Sequence, residues 1–132
     1  MNQFPSQNGE LQVGGIGIRQ LAARVGQTPF YAYDRNLLSK RVTELRQQLP
    51  SDISLHYAMK ANPMPAVVQH FAGLVDGFDL ASAAEMQVAL DAGMDADEIS
   101  FAGPAKALHE LKMAVAAGVT VNLESELELE RV

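Results

Sequence analysis

The chain contains no cysteine. That absence removes disulfides, thiolate nucleophiles and cysteine-based zinc sites together. Positive charge is also scarce, with 10 Lys and Arg against 16 Asp and Glu for a net charge of −6. A general surface for nucleic acid or an anionic membrane is excluded on that balance. Anionic small molecules are not, because one lysine and a few backbone N–H groups suffice to bind a phosphate. No apolar run approaches the roughly 20 residues that a membrane-spanning helix requires. The opening MNQFPSQNGE lacks the basic segment and apolar core of a secretory leader. What is left is a cytoplasmic, acidic protein, whose 132 residues and 48% hydrophobic content suit one packed domain.

Within that frame the chain alternates. Gly14-Gly15-Ile16-Gly17 has neither a preceding strand nor the remaining spacing of a dinucleotide fingerprint, and reads as a loop. Residues 18–25 predict a short helix stopped by Gly26. Phe30 to Tyr33 reads as an aromatic strand, and Asp34 as a helix N-cap. Leu38, Val42, Leu45 and Leu49 recur at helical spacing until Pro50. Four strands are then predicted, over 53–59, 78–81, 99–102 and 119–123, each followed by one helix. Gly93 and Gly118 stop two of those helices, and the one between them carries Leu108, Leu111 and Val115 on its apolar face. Such spacing implies parallel βα units, found both in doubly wound sheets and in (β/α)8 barrels. Both architectures place their chemistry at the carboxyl ends of strands, where Lys60, Asp79, Ser82 and Gly103 fall.

Lys60 is the first candidate. Strand alternation puts His56, Ala58 and Lys60 on one face and the apolar Leu55, Tyr57 and Met59 on the other. A lysine facing a barrel interior is partly desolvated, which favours the nucleophilic neutral amine that forms imines with aldehydes such as pyridoxal phosphate. The alternative is a strand end with its ammonium in water, and position alone favours it. Asp79 interrupts an apolar strand and has Lys60 on the preceding strand as a natural partner. Glu85 completes the capping-box pattern Ser82-Ala83-Ala84-Glu85, which explains it without any site role. His56 reads as a hydrogen-bonded core residue. His70 and His109 lie in helices without partners at metal-ligand spacing, so no metal site is expected. The acidic run ESELELE holds a second capping box, Ser125 to Glu128, and reads as a solvated helix start.

The ordered segments TPFYAYD, HYAMKANP, GFDLASAAEM, ISFAGPAK and VNLESELELERV resemble the amino-terminal part of the pyridoxal-phosphate-dependent amino-acid decarboxylases of the alanine-racemase-like fold. Diaminopimelate decarboxylases are the nearest branch, with ornithine and arginine decarboxylases as relatives. The resemblance implies an incomplete (β/α)8 barrel of α/β class over residues 35–132. Residues 1–34 would carry a strand of the family's β-domain, and the rest of the barrel and that domain would lie outside this chain. It implies that Lys60 holds pyridoxal 5′-phosphate as an internal aldimine and that Asp79 and Glu85 belong to the cofactor site. Ser82 and Lys106 fall within family motifs without a definite role. The implied reaction is decarboxylation of a diamino acid of diaminopimelate type by a full-length homodimer. A racemase, a pyridoxal-phosphate homeostasis protein and a non-catalytic truncated relative are the alternatives. Alone, these residues are expected to be inactive and prone to aggregate, because four βα units leave a sheet edge unpaired.

Overall fold

A computed structural model describes residues 3–132, which form two compact units divided between Gln48 and Leu49. The first opens with three short antiparallel strands in the order β1-β2-β3: β1 (Ser6–Gln7), β2 (Glu10–Val13) and β3 (Ile16–Gly17). The glycine-bearing segment read as a loop is therefore mostly sheet. Its turns are the reason. Gln7 pairs with Glu10 across Asn8-Gly9, and Val13 with Ile16 across Gly14-Gly15. All four turn residues have positive φ, between 53° and 76°, as a two-residue hairpin requires for its twist to match its strands. The helix α1 (Ile18–Val25) ends at Gly26 in the left-handed conformation. The helix α2 (Arg35–Gln48) is capped by Asp34, which accepts the Asn36 N–H at 2.9 Å and the Gly14 N–H at 3.1 Å. Residues 30–33 form no strand, contrary to expectation, because no described strand pairs with them and Tyr31 stands 93% exposed.

The second unit is a parallel sheet in the order β4-β5-β6-β7. Its strands are β4 (His56–Ala58), β5 (Gly77–Leu80), β6 (Ile99–Phe101) and β7 (Thr120–Val121); three are shorter than the predicted runs, and β5 is shifted one residue earlier. The helices α3 (Pro65–Ala72), α4 (Ala83–Asp91), α5 (Leu108–Ala117) and α6 (Glu126–Leu129) follow them in turn. Spatial order equals chain order, without the reversal that defines a doubly wound sheet. This unit is thus an arc of a barrel.

The two faces of the arc differ chemically. Phe78, Leu80, Ile99 and Phe101 are buried against Val68 of α3, Met86 and Ala89 of α4 and Ala114 of α5. Tyr57 stacks on Phe71 with ring centroids 4.1 Å apart and meets Phe78 edge-on at 6.2 Å. Pro65 opens α3, where its missing N–H costs no helical bond. Of the apolar face expected on α5, Leu111 is buried while Leu108 and Val115 are exposed. The opposite sheet face carries one register row, Ala58, Asp79, Ser100 and Thr120, side by side across the four strands. Small and polar side chains there leave room in front of the sheet.

Candidate functional site

A cavity of about 370 Å³ occupies that room at the carboxyl end of the strands, within the size range of small-molecule sites. Ala58, Lys60, Asp79, Ser100, Gly103 and Asn122 line it. Lys60 reaches it by a route the alternation pattern did not anticipate. The strand stops at Ala58, and a single 3-10 turn, Met59–Ala61, carries the lysine. Met59 is fully buried in the core and anchors the turn, so Lys60 emerges on the cavity side above Ala58. Its side chain is exposed rather than desolvated, because an open arc of sheet leaves the cavity wall in contact with water.

Asp79 shares the cavity with Lys60 but not an ion pair. Among the described residues its partner is His56, whose Nδ1 lies 3.2 Å from the Asp79 Oδ1. The reason lies at Gly77. His56 and Gly77 are in register on neighbouring strands, and the imidazole occupies the space where a side chain at residue 77 would stand. A Cβ there would come within 2.6 Å of His56 Cε1 and 2.2 Å of the Glu98 carbonyl oxygen. Gly77 therefore lets the ring lie across β5 and reach Asp79. Neither the glycine nor the dyad was singled out by sequence reasoning, since a glycine before an apolar strand reads as an ordinary boundary.

Glu85 does not line the cavity. Its N–H donates to the Ser82 hydroxyl at 3.2 Å, and its carboxylate accepts the Ala81 N–H at 2.7 Å. The capping box thus closes one residue earlier than in its usual form, on a residue that itself lines the cavity. The same arrangement recurs at Ser125, where Glu128 accepts the Glu124 N–H at 2.9 Å. Glu128 corrects the reading of that acidic run as solvated: it is buried, 3.1 Å from the equally buried Lys106. A third carboxylate, Glu110, accepts the N–H groups of Ala107 at 3.0 Å and Ala83 at 2.9 Å, tying the starts of α4 and α5 together.

These bonds shift two acids. Backbone N–H donation from Ala107 and Ala83 holds the Glu110 carboxyl below its ordinary value of 4.5. The Glu124 N–H, with Lys106 assisting and burial opposing, does the same for Glu128. A carboxyl depressed in the folded state stabilises fully above its unfolded value and loses that contribution as pH falls through the folded one. The melting temperature is accordingly expected to fall on acidification below about pH 4.5. Glu110→Gln should melt below the unsubstituted chain near neutrality, and the gap should narrow as pH falls through the folded-state value, which lies below 4.5. A gap independent of pH in thermal scans would refute the assignment for Glu110.

A lysine amine and a carboxylate facing one cavity at the carboxyl end of parallel strands suit an aldehyde cofactor with a cationic ring. The alanines Ala58, Ala81 and Ala102 leave its walls low. Residues 35–132 match the pyridoxal-binding domain of the pyridoxal-dependent decarboxylases. The chain belongs to that family. Its cofactor is pyridoxal 5′-phosphate, as the resemblance implied. A diaminopimelate decarboxylase of Aquifex aeolicus is 36% identical over 93% of this chain and 29% of its own length. An ornithine decarboxylase of Leishmania donovani is 37% identical over 80% of the chain and 15% of its own length. The crystal structure of the Helicobacter pylori diaminopimelate decarboxylase with L-lysine superposes with a TM-score of 0.74 at 31% identity, over 86% of this chain and 29% of that one. The chain therefore spans less than a third of the relatives it matches, and its barrel is a partial one. Among the described residues no helix is long and apolar enough to cross a membrane.

Proposed function

We propose that this chain is the cofactor-attachment portion of a pyridoxal 5′-phosphate-dependent decarboxylase acting on a diamino acid of diaminopimelate type, with Lys60 carrying the cofactor. One observation supports this above the rest: of the four lysines in the chain, Lys60 is the one placed at the mouth of the strands with its amine on a cavity wall. The bound cofactor supplies a ring that accepts the electron pair left when a carboxylate departs. The chain's own residues do the remaining work. Lys60, the lysine on the cavity wall, would hold the cofactor through its Nζ, a primary amine suited to a carbonyl carbon. Asp79, held in orientation by His56, presents a carboxylate that attracts cationic nitrogen within the cavity. Glu85 fixes the Ala81 backbone at the rim and is a positioning residue.

The division into residues 1–34, allied to the family's β-domain, and residues 35–132, part of the barrel, belongs to the same proposal. So do the homodimer and the cytoplasmic setting. The names of the relatives, diaminopimelate and ornithine decarboxylases, favour decarboxylation over racemisation or cofactor homeostasis. The test is carbon dioxide release by a polypeptide that carries this chain at the relatives' length, supplied in turn with diaminopimelate, ornithine, lysine and arginine. Diaminopimelate is expected to give the highest kcat/KM. A preference of more than about tenfold for another substrate, equivalent to about 1.4 kcal/mol in the transition state, would overturn the substrate assignment. Racemisation without gas release would overturn the reaction.

A further inference from the structure

The cavity rim at Gly103 is held by a closed ring of four polar contacts. The Gly103 N–H donates to Glu124 Oε1 at 2.5 Å, and the Glu124 N–H donates to Glu128 Oε2 at 2.9 Å. The same Glu128 oxygen lies 3.1 Å from Lys106 Nζ, which donates in turn to the Gly103 carbonyl at 2.5 Å. The Lys106 and Glu128 side chains are 1% and 4% exposed, and the Lys106 ammonium stands 5.8 Å from the centroid of the buried Phe101 ring. Burying two charges costs desolvation that their attraction offsets only when geometry and hydrogen bonding are good. Here the cation spans a carboxylate and a carbonyl, and the carboxylate's Oε2 serves both the cation and an amide, while its Oε1 is buried without a hydrogen-bond partner among the described residues.

The rim needs such a device. Gly103 has a φ of +119°, which glycine alone adopts readily, and Pro104 after it has no N–H to donate. A glycine loop without partners would sample many conformations. From this geometry we infer that Lys106 and Glu128 are positioning residues. Through Gly103 and Glu124 they set the part of the wall, in the cavity shared with Lys60, against which the cofactor would be held. The inference rests on the proposed role of Lys60. It also gives the two motif lysines separate duties. Lys106 is sequestered in the ring and is unavailable as an amine, which leaves cofactor attachment to Lys60.

The test combines two readouts on a polypeptide that carries this chain at the relatives' length. Hydrogen exchange at the Gly103 amide reports the ring without any cofactor, and titration with pyridoxal 5′-phosphate reports the cavity. Lys106→Met is expected to raise Gly103 exchange and to weaken cofactor binding, each on the order of tenfold or more. Because a buried substitution can fail to fold, Glu124→Ala, at an exposed position, is the second variant and should produce the same pair of changes. Leu111→Ala, a core truncation in α5, controls for lost stability and should leave cofactor affinity within about twofold of the unsubstituted chain at temperatures where it is folded. Faster Gly103 exchange with unchanged affinity in both variants would overturn the inference, as would unchanged Gly103 exchange. A chain whose cofactor affinity is indifferent to Lys60→Ala would instead overturn the proposed role of Lys60, and Gly103 exchange would still decide whether the ring holds the rim.

Discussion

Gly77→Ala is expected to destabilise the chain by about 3 kcal/mol, the upper end of the usual cost of overpacking. For a unit of this size that corresponds to a fall of roughly 10–20 °C in melting temperature. The added methyl meets two obstacles of different kinds. The His56 ring, 2.6 Å from the new Cβ, can rotate away at the cost of its contact with Asp79. The Glu98 carbonyl oxygen, 2.2 Å away, is backbone and cannot. Glu98 immediately precedes β6, so relief requires β5 and β6 to part at the start of the ladder that pairs Phe78 with Ile99. Those two residues are fully buried in the core, and loosening them exposes it. Combining Gly77→Ala with His56→Ala should recover only the side-chain share of the loss. Thermal or urea unfolding checks both, and a loss below about 1 kcal/mol for Gly77→Ala would show that the backbone approach is not as close as described.

What was legible beforehand divides along a physical line. Signals written in a few adjacent residues came through: the helix stops at Gly26 and Gly118 and the caps at Asp34, Ser82 and Ser125. Each depends on local backbone geometry, which local sequence specifies. Interactions between distant residues did not come through. Lys106 and Glu128 are 22 positions apart, and nothing in an acidic run reveals that one of its carboxylates turns inward to a lysine. His56 and Asp79 meet because two strands pair in a particular register with a glycine between them, which composition cannot express. Some misses were local. Asn8-Gly9 and Gly14-Gly15 are strong hairpin signals, but the polar residues beside them concealed the strands. At residues 30–33 aromatic content suggested a strand, while a strand exists only with a partner. The change from strand to 3-10 turn at Met59 belongs between these cases, since the residue that ends the alternation is the one that anchors Lys60 in place.

Lys60→Ala is expected to abolish the stable adduct that borohydride forms in the presence of pyridoxal 5′-phosphate, a loss limited only by background labelling. In the unsubstituted chain, peptide mapping should place the label on Lys60 in preference to the other three lysines. Lys40 and Lys112 are exposed on helices and line no part of the cavity, so they react only as free amines do. Lys106 is buried and already donates to Gly103 and Glu128, and it should stay unlabelled. The variant also separates chemistry from folding. Lys60 is exposed and forms no ion pair among the described residues, so its truncation should change stability by no more than about 0.5 kcal/mol. Lys60→Arg keeps the charge but offers no primary amine, and it should fail in the same way. Label spread evenly over Lys40 and Lys112, or retained after Lys60→Ala, would refute the assignment. A Lys60→Ala variant that melts normally yet takes no label would establish that the amine at the end of β4 is the cofactor's point of attachment.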